Sequence, residues 1–249
     1  RGGLIAIDAG GQEVLERSAI LVTPDWIEAR LSIGLPAAGR SVLGRQAMEM
    51  LCRRLPEILE KSLFWDLLPQ QTIEQFVNAI ENQESIRTQL GELGLIAFVG
   101  NGSMLPRESG ASDLPLQTGT AVPFLSPAKF LVTVEVPHSV NPENSSQKQI
   151  SGMGVPKGIT LIVGGGYHGK STLLRALERG VHPHIPGDGR EWVVSKTDLV
   201  KIRAEDGRSV TGVDISGFIG SLPGESGGIE AQSFSTTEAS GSTSQAANI

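Results

Sequence analysis

The sequence has a single cysteine, Cys52, only 4% aromatic residues and no long apolar run. One cysteine cannot form an internal disulfide, and it excludes a zinc site built from several cysteines. No segment approaches the roughly 18 uninterrupted apolar residues of a membrane-spanning helix. The formal net charge of −6 argues against a broadly basic nucleic-acid-binding surface. The 249 residues are enough for one large domain or two modest ones.

Three zones differ in composition along the chain. Residues 1–137 combine short apolar runs, bounded by turn formers, with helical periodicity after Ser41, which predicts an N-terminal α+β module. Residues 138–152 are polar and aperiodic, which predicts a linker or a long hairpin loop. Residues 153–249 are rich in glycine and contain the clearest functional motif.

Hydrophobic periodicity predicts individual elements within these zones. Alternation over 27–33 indicates a half-buried strand. Steps of three and four from Ser41 to Leu63 indicate an amphipathic helix that Pro56 kinks or splits. Further helices are predicted over 71–81, 84–93, 171–178 and 244–249, and strands over 95–99, 130–136, 159–163, 192–195 and 200–204.

The motif is GGGYHGKST at residues 164–172, which fits G-x-x-x-x-G-K-[ST] in full. Glycines let the backbone approach phosphates closely, and successive N–H groups form a nest for anions. The positive end of the following helix adds to this attraction. The predicted phosphate-binding residues are Gly164, Gly165, Gly166, Gly169, Lys170, Ser171 and Thr172.

Each polar side chain of the motif has an expected contact. We expect Lys170 to reach the β- and γ-phosphates, Ser171 to ligate Mg²⁺, and Thr172 to lie near the α-phosphate. Tyr167 and His168 occupy variable positions of the loop, and we interpret them as solvent-facing residues.

Hydrolysis also needs a carboxylate for Mg²⁺ and a group that positions water. The nearest candidate is Asp214, at the end of a short apolar run that Gly212 interrupts. The simpler expectation is that the acidic strand (Walker B) lies beyond Ile249 and that the chain is a fragment. The catalytic residues are therefore left unassigned.

Several segments are similar to a known family. The phosphate motif, HIPGDGREWVV (184–194), VKIRAEDGRSVTGVDIS (200–216) and FSTTEASGSTSQAAN (234–248) resemble the predicted ATPases of the ABC class, which are soluble proteins. The resemblance implies an α/β P-loop NTPase core of ABC type over 153–249, truncated and preceded by the α+β module. It implies ATP and Mg²⁺ as cofactors, hydrolysis by the full-length protein but not by this fragment, and a cytoplasmic or organellar location.

The resemblance also implies that residues 239–245 correspond to the ABC signature. Ser240, Gly241 and Ser242 would then face ATP held by a second subunit, so that nucleotide is sandwiched in a homodimer. Composition alone instead predicts a disordered Ser/Thr/Gly tail there. The usual glutamine is missing between Lys170 and Gln232. Glu205 or Asp206 could contact Mg²⁺ in its place, with an acidic surface turn as the alternative.

Two further hypotheses about function are open. Some relatives of the family have been linked to RNA, so RNA association is one alternative, and a low-turnover nucleotide switch or scaffold is another. The histidines His182 and His184 allow a metal hypothesis, but the spacing supplies no third ligand, which favours packed or solvated loop histidines.

Overall fold

An antiparallel sheet of four strands lies within the larger of two units of the chain, residues 1–199 and residues 200–249. The structure is a computed structural model that describes residues 3–116, 119, 121–141, 146–165, 168–202, 207–219, 231–239 and 241–247. Its strands are β1 (Leu4–Ala6), β2 (Ile20–Val22), β3 (Ile27–Ala29), β4 (Ser32–Gly34), β5 (Ala37–Ala38), β6 (Ser41–Val42), β7 (Leu95–Gly100), β8 (Leu131–Glu135), β9 (Gln149–Pro156), β10 (Val193–Ser195), β11 (Arg208–Val213) and β12 (Phe234–Ala239). Its α-helices are α1 (Gly44–Glu49), α2 (Leu55–Leu63), α3 (Gln70–Glu92), α4 (Lys170–Arg179) and α5 (Gly241–Ala246).

The four-stranded sheet has the order β10-β7-β9-β8, and each neighbouring pair is antiparallel. In the β8–β9 pair, Leu131 lies opposite Met153 and Glu135 opposite Gln149, so the two strands are paired antiparallel. Residues 149–152, which the sequence assigns to the polar stretch, open β9 instead. Because β7 is hydrogen-bonded to both β9 and β10, the sheet takes strands from both sides of that stretch.

A helix packs on each face of this sheet. Alternate residues of β7 point to opposite faces. Phe98 lies in a buried cluster with Leu90 of α3, whereas Val99 lies in a second cluster with Ala176 and Leu177 of α4. Burial on both faces explains why β7 reads as a continuous apolar run. The strands predicted over 95–99, 130–136 and 192–195 are confirmed as β7, β8 and β10.

Helix α3 is continuous, although the sequence predicts separate helices over 71–81 and 84–93. The polar pair Asn82 and Gln83 interrupts the apolar pattern, yet both side chains are buried. Asn82 exchanges hydrogen bonds of 3.2 and 2.9 Å with the backbone of His138. Gln83 exchanges bonds of 2.9 and 2.7 Å with the backbone of His184. The pair therefore attaches the helix to two loops instead of ending it.

The N-terminal residues form short antiparallel pairs, β1 with β4, β2 with β3, and β5 with β6. The single strand predicted over 27–33 is split between β3 and β4, which pair with different partners. A π-helical segment, Met50–Arg54, joins α1 to α2, and Pro56 lies in the first turn of α2. Proline has no N–H to donate, so the regular hydrogen-bond ladder of a helix cannot run unbroken through this position. The predicted irregular helix is confirmed over 44–63, but its predicted start at Ser41 is wrong, because Ser41–Val42 form β6.

No strand forms over 159–163, so the prediction of a strand before the glycine cluster is wrong. Ile159, Leu161 and Val163 are 105%, 83% and 75% exposed. A strand needs a hydrogen-bonded neighbour, and within the described ranges no strand pairs with these residues. Residues 200–202 also lack regular structure, and 203–204 lie outside the described residues. The helix predicted over 171–178 is confirmed as α4.

The second unit contains β11 and β12, paired antiparallel, and the short helix α5. Phe234 and Ala239 of β12 share a buried cluster with Val210 of β11 and Ala246 of α5. The disordered tail that composition favours is therefore wrong for residues 234–239 and 241–246. Among the described helices of the chain, none has the length and apolar character that a membrane span requires.

Glycine at position 152 is required by the close approach of β9 to β7. A Cβ at Gly152 would lie 2.3 Å from the Val99 carbonyl oxygen and 2.7 Å from the Gly100 Cα. We predict that Gly152→Ala lowers the free energy of unfolding by about 1–3 kcal/mol, as overpacking does. Gly91→Ala is the control, because its Cβ would meet nothing within 4 Å and alanine favours the helix. Equal urea midpoints for the two variants would contradict this account.

Candidate functional site

Helix α4 begins at Lys170, directly after a sharp turn of the backbone at Gly169. Gly169 has a φ of 78°, a left-handed conformation that glycine adopts without strain. The first backbone bond of the helix runs from the Leu173 N–H to the Gly169 carbonyl, at 2.9 Å. The N–H groups of the first turn have no partner within the helix, and the helix dipole makes this end positive. The sequence Gly-Lys-Ser thus gives a helix N-terminus suited to anions.

The Lys170 side chain crosses the glycine loop. Its ammonium group donates hydrogen bonds to the carbonyl oxygens of Gly164 and Gly165, at 2.7 and 2.5 Å. These contacts bring Gly164, Gly165, Gly169 and Lys170 of the predicted site together. Gly164 has a φ of 153°, which favours glycine, and a Cβ at Gly165 would lie 3.2 Å from the ring of His168. A positive charge therefore lies beside the positive helix end.

The hydroxyl residues of the motif lie in the first turn of α4. Ser171 is exposed, and Thr172 is half-buried. His168 is exposed, in agreement with its interpretation as a solvent-facing loop residue. Gly166 and Tyr167 lie outside the described residues.

Several other predicted residues also lie outside the described part of the chain, namely Ser240, Glu205 and Asp206. Gly241 and Ser242 form the start of α5. Asp214 is described and exposed, and its carboxylate accepts a hydrogen bond of 2.9 Å from the Ser216 N–H. Hydrogen bonds from the side chain and then the backbone of Ser216 hold the pKa of Asp214 below its usual range. Asp214 therefore has a local role in a turn.

The C-terminal end of α4 is fixed to the sheet. Ser195 of β10 is fully buried, and its hydroxyl donates to the Leu177 carbonyl at 2.7 Å. Arg87 of α3 donates to the Gly180 carbonyl at 3.1 Å and also to the Ser195 carbonyl. Because these bonds satisfy carbonyls at the helix end, α4 is held in one position on β10.

Sequence reasoning missed the structural role of residues 183–191, here called the 183–191 loop. Its backbone pairs with the N-terminal segment, through Val14 N–H to Pro183 carbonyl at 2.7 Å and Ile185 N–H to Gln12 carbonyl at 3.0 Å. The Met104 N–H donates to the Gly189 carbonyl at 2.7 Å. The run Asp188-Gly189-Arg190 places two opposite charges on either side of a glycine. This run was the sequence signal that could have indicated buried charged contacts in the loop.

A buried ion pair lies at the centre of the 183–191 loop. Arg107 contacts the Asp188 carboxylate at 2.7 Å and donates to the Asp188 carbonyl at 2.8 Å. His184 Nδ1 lies 2.8 Å from the same carboxylate oxygen, and both side chains are fully buried. Burial alone would raise the pKa of Asp188, but hydrogen bonds and charges from His184 and Arg107 hold it below its usual range. Asp188 is therefore an ionised, paired carboxylate.

A second buried arginine lies beside this pair. Arg190 donates from Nε and Nη2 to the Leu105 carbonyl, at 3.0 and 2.5 Å. Burial lowers the pKa of Arg190 to about 10, and the positive charge of Arg107 acts in the same direction. His184 is a packed loop histidine, and no group of three or more metal-binding side chains occurs in the described ranges.

The phosphate loop, the helix that follows it and the N-terminal pairs define a P-loop protein of mixed α/β fold with an N-terminal module. Residues 69–249 match the family model of a P-loop domain of ABC-type ATPases. Residues 1–66 match the model for the N-terminal part of ATPases of the ABC class. The chain belongs to this family, the ATPases of the ABC class, as its resemblance indicated.

One curated relative is an uncharacterized protein of Methanocaldococcus jannaschii. It is 32% identical to this chain over 177 residues, which cover 70% of this chain. The same alignment covers 37% of the length of the relative, so the chain spans well under half of that protein.

Acid titration tests the buried pair. A carboxyl whose pKa is depressed in the folded state contributes stability above its unfolded pKa, and that stability is lost as pH falls through the folded pKa. We therefore predict that stability falls below about pH 4. Asp188→Asn should show a flatter pH dependence there and should lose about 3–5 kcal/mol at pH 7, because Arg107 stays buried without its partner.

Asp198→Asn is the matched control, because Asp198 is exposed and lies in the turn after β10. Its unfolding curves should follow those of the parent chain over about pH 2 to 7, because an exposed carboxylate contributes little to stability. If the free energy of unfolding depended on pH in the same way for the parent chain and Asp188→Asn, Asp188 would not be the ionised, paired carboxylate assigned here.

Proposed function

We propose that residues 164–172 bind the triphosphate of ATP and that the chain provides the nucleotide-binding part of an ATPase that hydrolyses ATP with Mg²⁺. The observation that carries the proposal is the Lys170 ammonium, which lies across the glycine loop at the N-terminus of α4. Family membership supports the same conclusion.

The chemistry of binding follows from charges that the loop already holds. Lys170 donates to two loop carbonyls, and phosphate oxygens are stronger acceptors for an ammonium group because they are charged. Phosphate therefore replaces the Gly164 and Gly165 carbonyls as the partner of Lys170. The first-turn N–H groups of α4 donate to the same anion, and the helix dipole adds to the attraction. Lys170 and the helix end thus act together.

The described part of the motif offers one hydroxyl ligand for a magnesium ion. Ser171 is the first hydroxyl of α4, is exposed, and follows the lysine that meets the phosphates. Ser171 would hold Mg²⁺ through its hydroxyl, and Glu205 is the second ligand that we propose from the sequence. The ion supplies neutralisation of the charge that develops on the phosphates.

The proposal extends to a second copy of the chain. In it, Ser240, Gly241 and Ser242 donate to the γ-phosphate of ATP held by the partner copy. Gly241 and Ser242 begin the six-residue helix α5, and β12 ends at Ala239. The family resemblance of residues 239–245 gives the reason to choose this helix.

Replacement of Lys170 tests nucleotide binding. We predict that Lys170→Ala weakens binding of Mg·ATP at least about 30-fold, because the loss of a charged partner costs roughly 2 kcal/mol or more. Titration calorimetry on the chain measures the affinity. The control is Lys157→Ala, since Lys157 is exposed and lies outside the motif. Equal affinities for Lys170→Ala and the parent chain would refute the role of Lys170.

Phosphate release from the full-length protein separates hydrolysis from the switch or scaffold hypothesis. Release above the Lys170→Ala background identifies an ATPase, whereas tight binding of ATP without release identifies a low-turnover switch.

A mass increase in the presence of a slowly hydrolysed ATP analogue supports the two-copy arrangement, and a constant mass contradicts it.

A further inference from the structure

A loop of the N-terminal module, residues 8–17, lies against the segment that follows α4 and is here called the 8–17 loop. Asp8 and Arg17 form an ion pair that joins its two ends. In its middle, Glu13 forms an antiparallel bridge with His184. The loop therefore makes a strand-like contact with a part of the chain that is distant in sequence.

Residues 183–185 are held by hydrogen bonds on two sides. The Pro183 carbonyl accepts a bond of 2.7 Å from the 8–17 loop, and the Ile185 N–H donates one of 3.0 Å to it. The backbone of His184, between them, instead exchanges bonds with the side chain of Gln83 in α3. Buried backbone groups need partners, and His184 is fully buried. The 8–17 loop thus completes the hydrogen bonding of this segment.

The side chain of Glu13 extends the contact to the phosphate-loop helix. Its Oε1 lies 3.6 Å from Nη1 of Arg179, the last residue of α4, and only 13% of the Glu13 side chain is exposed. Burial lowers the pKa of Arg190, and the negative charge of Glu13 is one of the charges that oppose this fall. Glu13 therefore lies among basic groups of both α4 and the 183–191 loop.

Helix α4 connects this contact with the phosphate loop. The helix has ten residues, so that Lys170 and Arg179 lie at opposite ends of a rod about 15 Å long. Its sequence contains neither glycine nor proline, which are the usual causes of a kink. A constraint on one end of such a helix therefore also restricts the other end. The 8–17 loop holds the end that lies away from the phosphate loop.

We propose that the 8–17 loop is a positioning element for the phosphate loop, with Glu13 as its positioning residue, and that docking of this loop and binding of ATP strengthen each other. The inference rests on the proposed function. Two contacts at opposite ends of one rigid helix restrict the same motion, so each costs less entropy once the other is made. The coupling is reciprocal, so release of the 8–17 loop lowers the affinity for ATP. The N-terminal module is then a point at which ATP binding is regulated.

Amide hydrogen exchange on the parent chain tests the coupling, because the Val14 and Ile185 N–H groups are hydrogen-bonded across this contact. We expect Mg·ATP at about 100 times its Kd to slow exchange of both amides by about 3- to 100-fold. The upper limit is reached when opening of the loop abolishes ATP binding. The Arg30 N–H is the internal control, since it donates to the Ala19 carbonyl at 2.9 Å within the N-terminal module, and its exchange should not change.

Replacement of Glu13 tests the positioning residue. We expect Glu13→Gln and Arg179→Met each to weaken Mg·ATP binding about two- to fivefold, the effect of a partly exposed ion pair. The two losses should not add in the double variant, because both changes remove the same contact. Glu16→Gln is the matched control, since Glu16 is an exposed glutamate of the same loop, and its affinity should equal that of the parent chain.

Each result supports or overturns the inference. Slower exchange at Val14 and Ile185 but not at Arg30 supports it. Exchange that ATP leaves unchanged overturns it, and so does equal slowing of all three amides, which stabilisation of the whole chain would give. Equal affinities for Glu13→Gln and the parent chain, or additive losses in the double variant, remove the role of Glu13. ATP binding that is absent, or that Lys170→Ala leaves intact, refutes the proposed function and this inference with it, whereas unchanged exchange with ATP bound refutes this inference alone.

Discussion

The attachment of α4 to β10 is the constraint on which the phosphate loop depends. Ser195 donates to the last turn of the helix, and a Cβ at Gly180 would lie 2.9 Å from the Val193 carbonyl. Ala176 and Leu177 fill the space between helix and sheet. Because the C-terminal end of α4 cannot shift without breaking these contacts, its N-terminal end is fixed as well. A helix end in a fixed place is what a preorganised anion site requires.

Buried polar groups connect this helix to parts of the chain that are distant in sequence. Gln83 binds the backbone of His184, 101 residues away, and Arg107 binds Asp188, 81 residues away. Each of these groups would destabilise the fold if it lost its partner, because burial removes the water that would otherwise replace it. The network therefore favours one arrangement of α3, the Arg107 segment and the 183–191 loop. Packing of apolar residues alone tolerates more alternatives, because it is not directional.

The sequence predicted the local features of the site and missed the long-range ones. The motif over 164–172 and helix α4 follow from residues that are adjacent in sequence, and so does the buried strand β7. The pairing of Arg107 with Asp188 could not be predicted, because it joins two loops that only the folded sheet brings together. The strand expected over 159–163 shows the converse. Its β-branched residues have the right propensity, but strand formation depends on a neighbour that local composition cannot supply.

The two ends of the phosphate loop, before Gly164 and after Gly169, are held by different contacts. On the C-terminal side, Gly169 and Lys170 are continuous with a helix that packs on the sheet. On the N-terminal side, Ile159 to Val163 are exposed, and the Lys170 hydrogen bonds to Gly164 and Gly165 hold the loop against α4. In the proposed function phosphate replaces these bonds, so that part of the binding free energy must hold the glycines that the lysine held before. Lys170 therefore holds the shape of the loop, and in the proposed function it also supplies the charge that attracts the ligand.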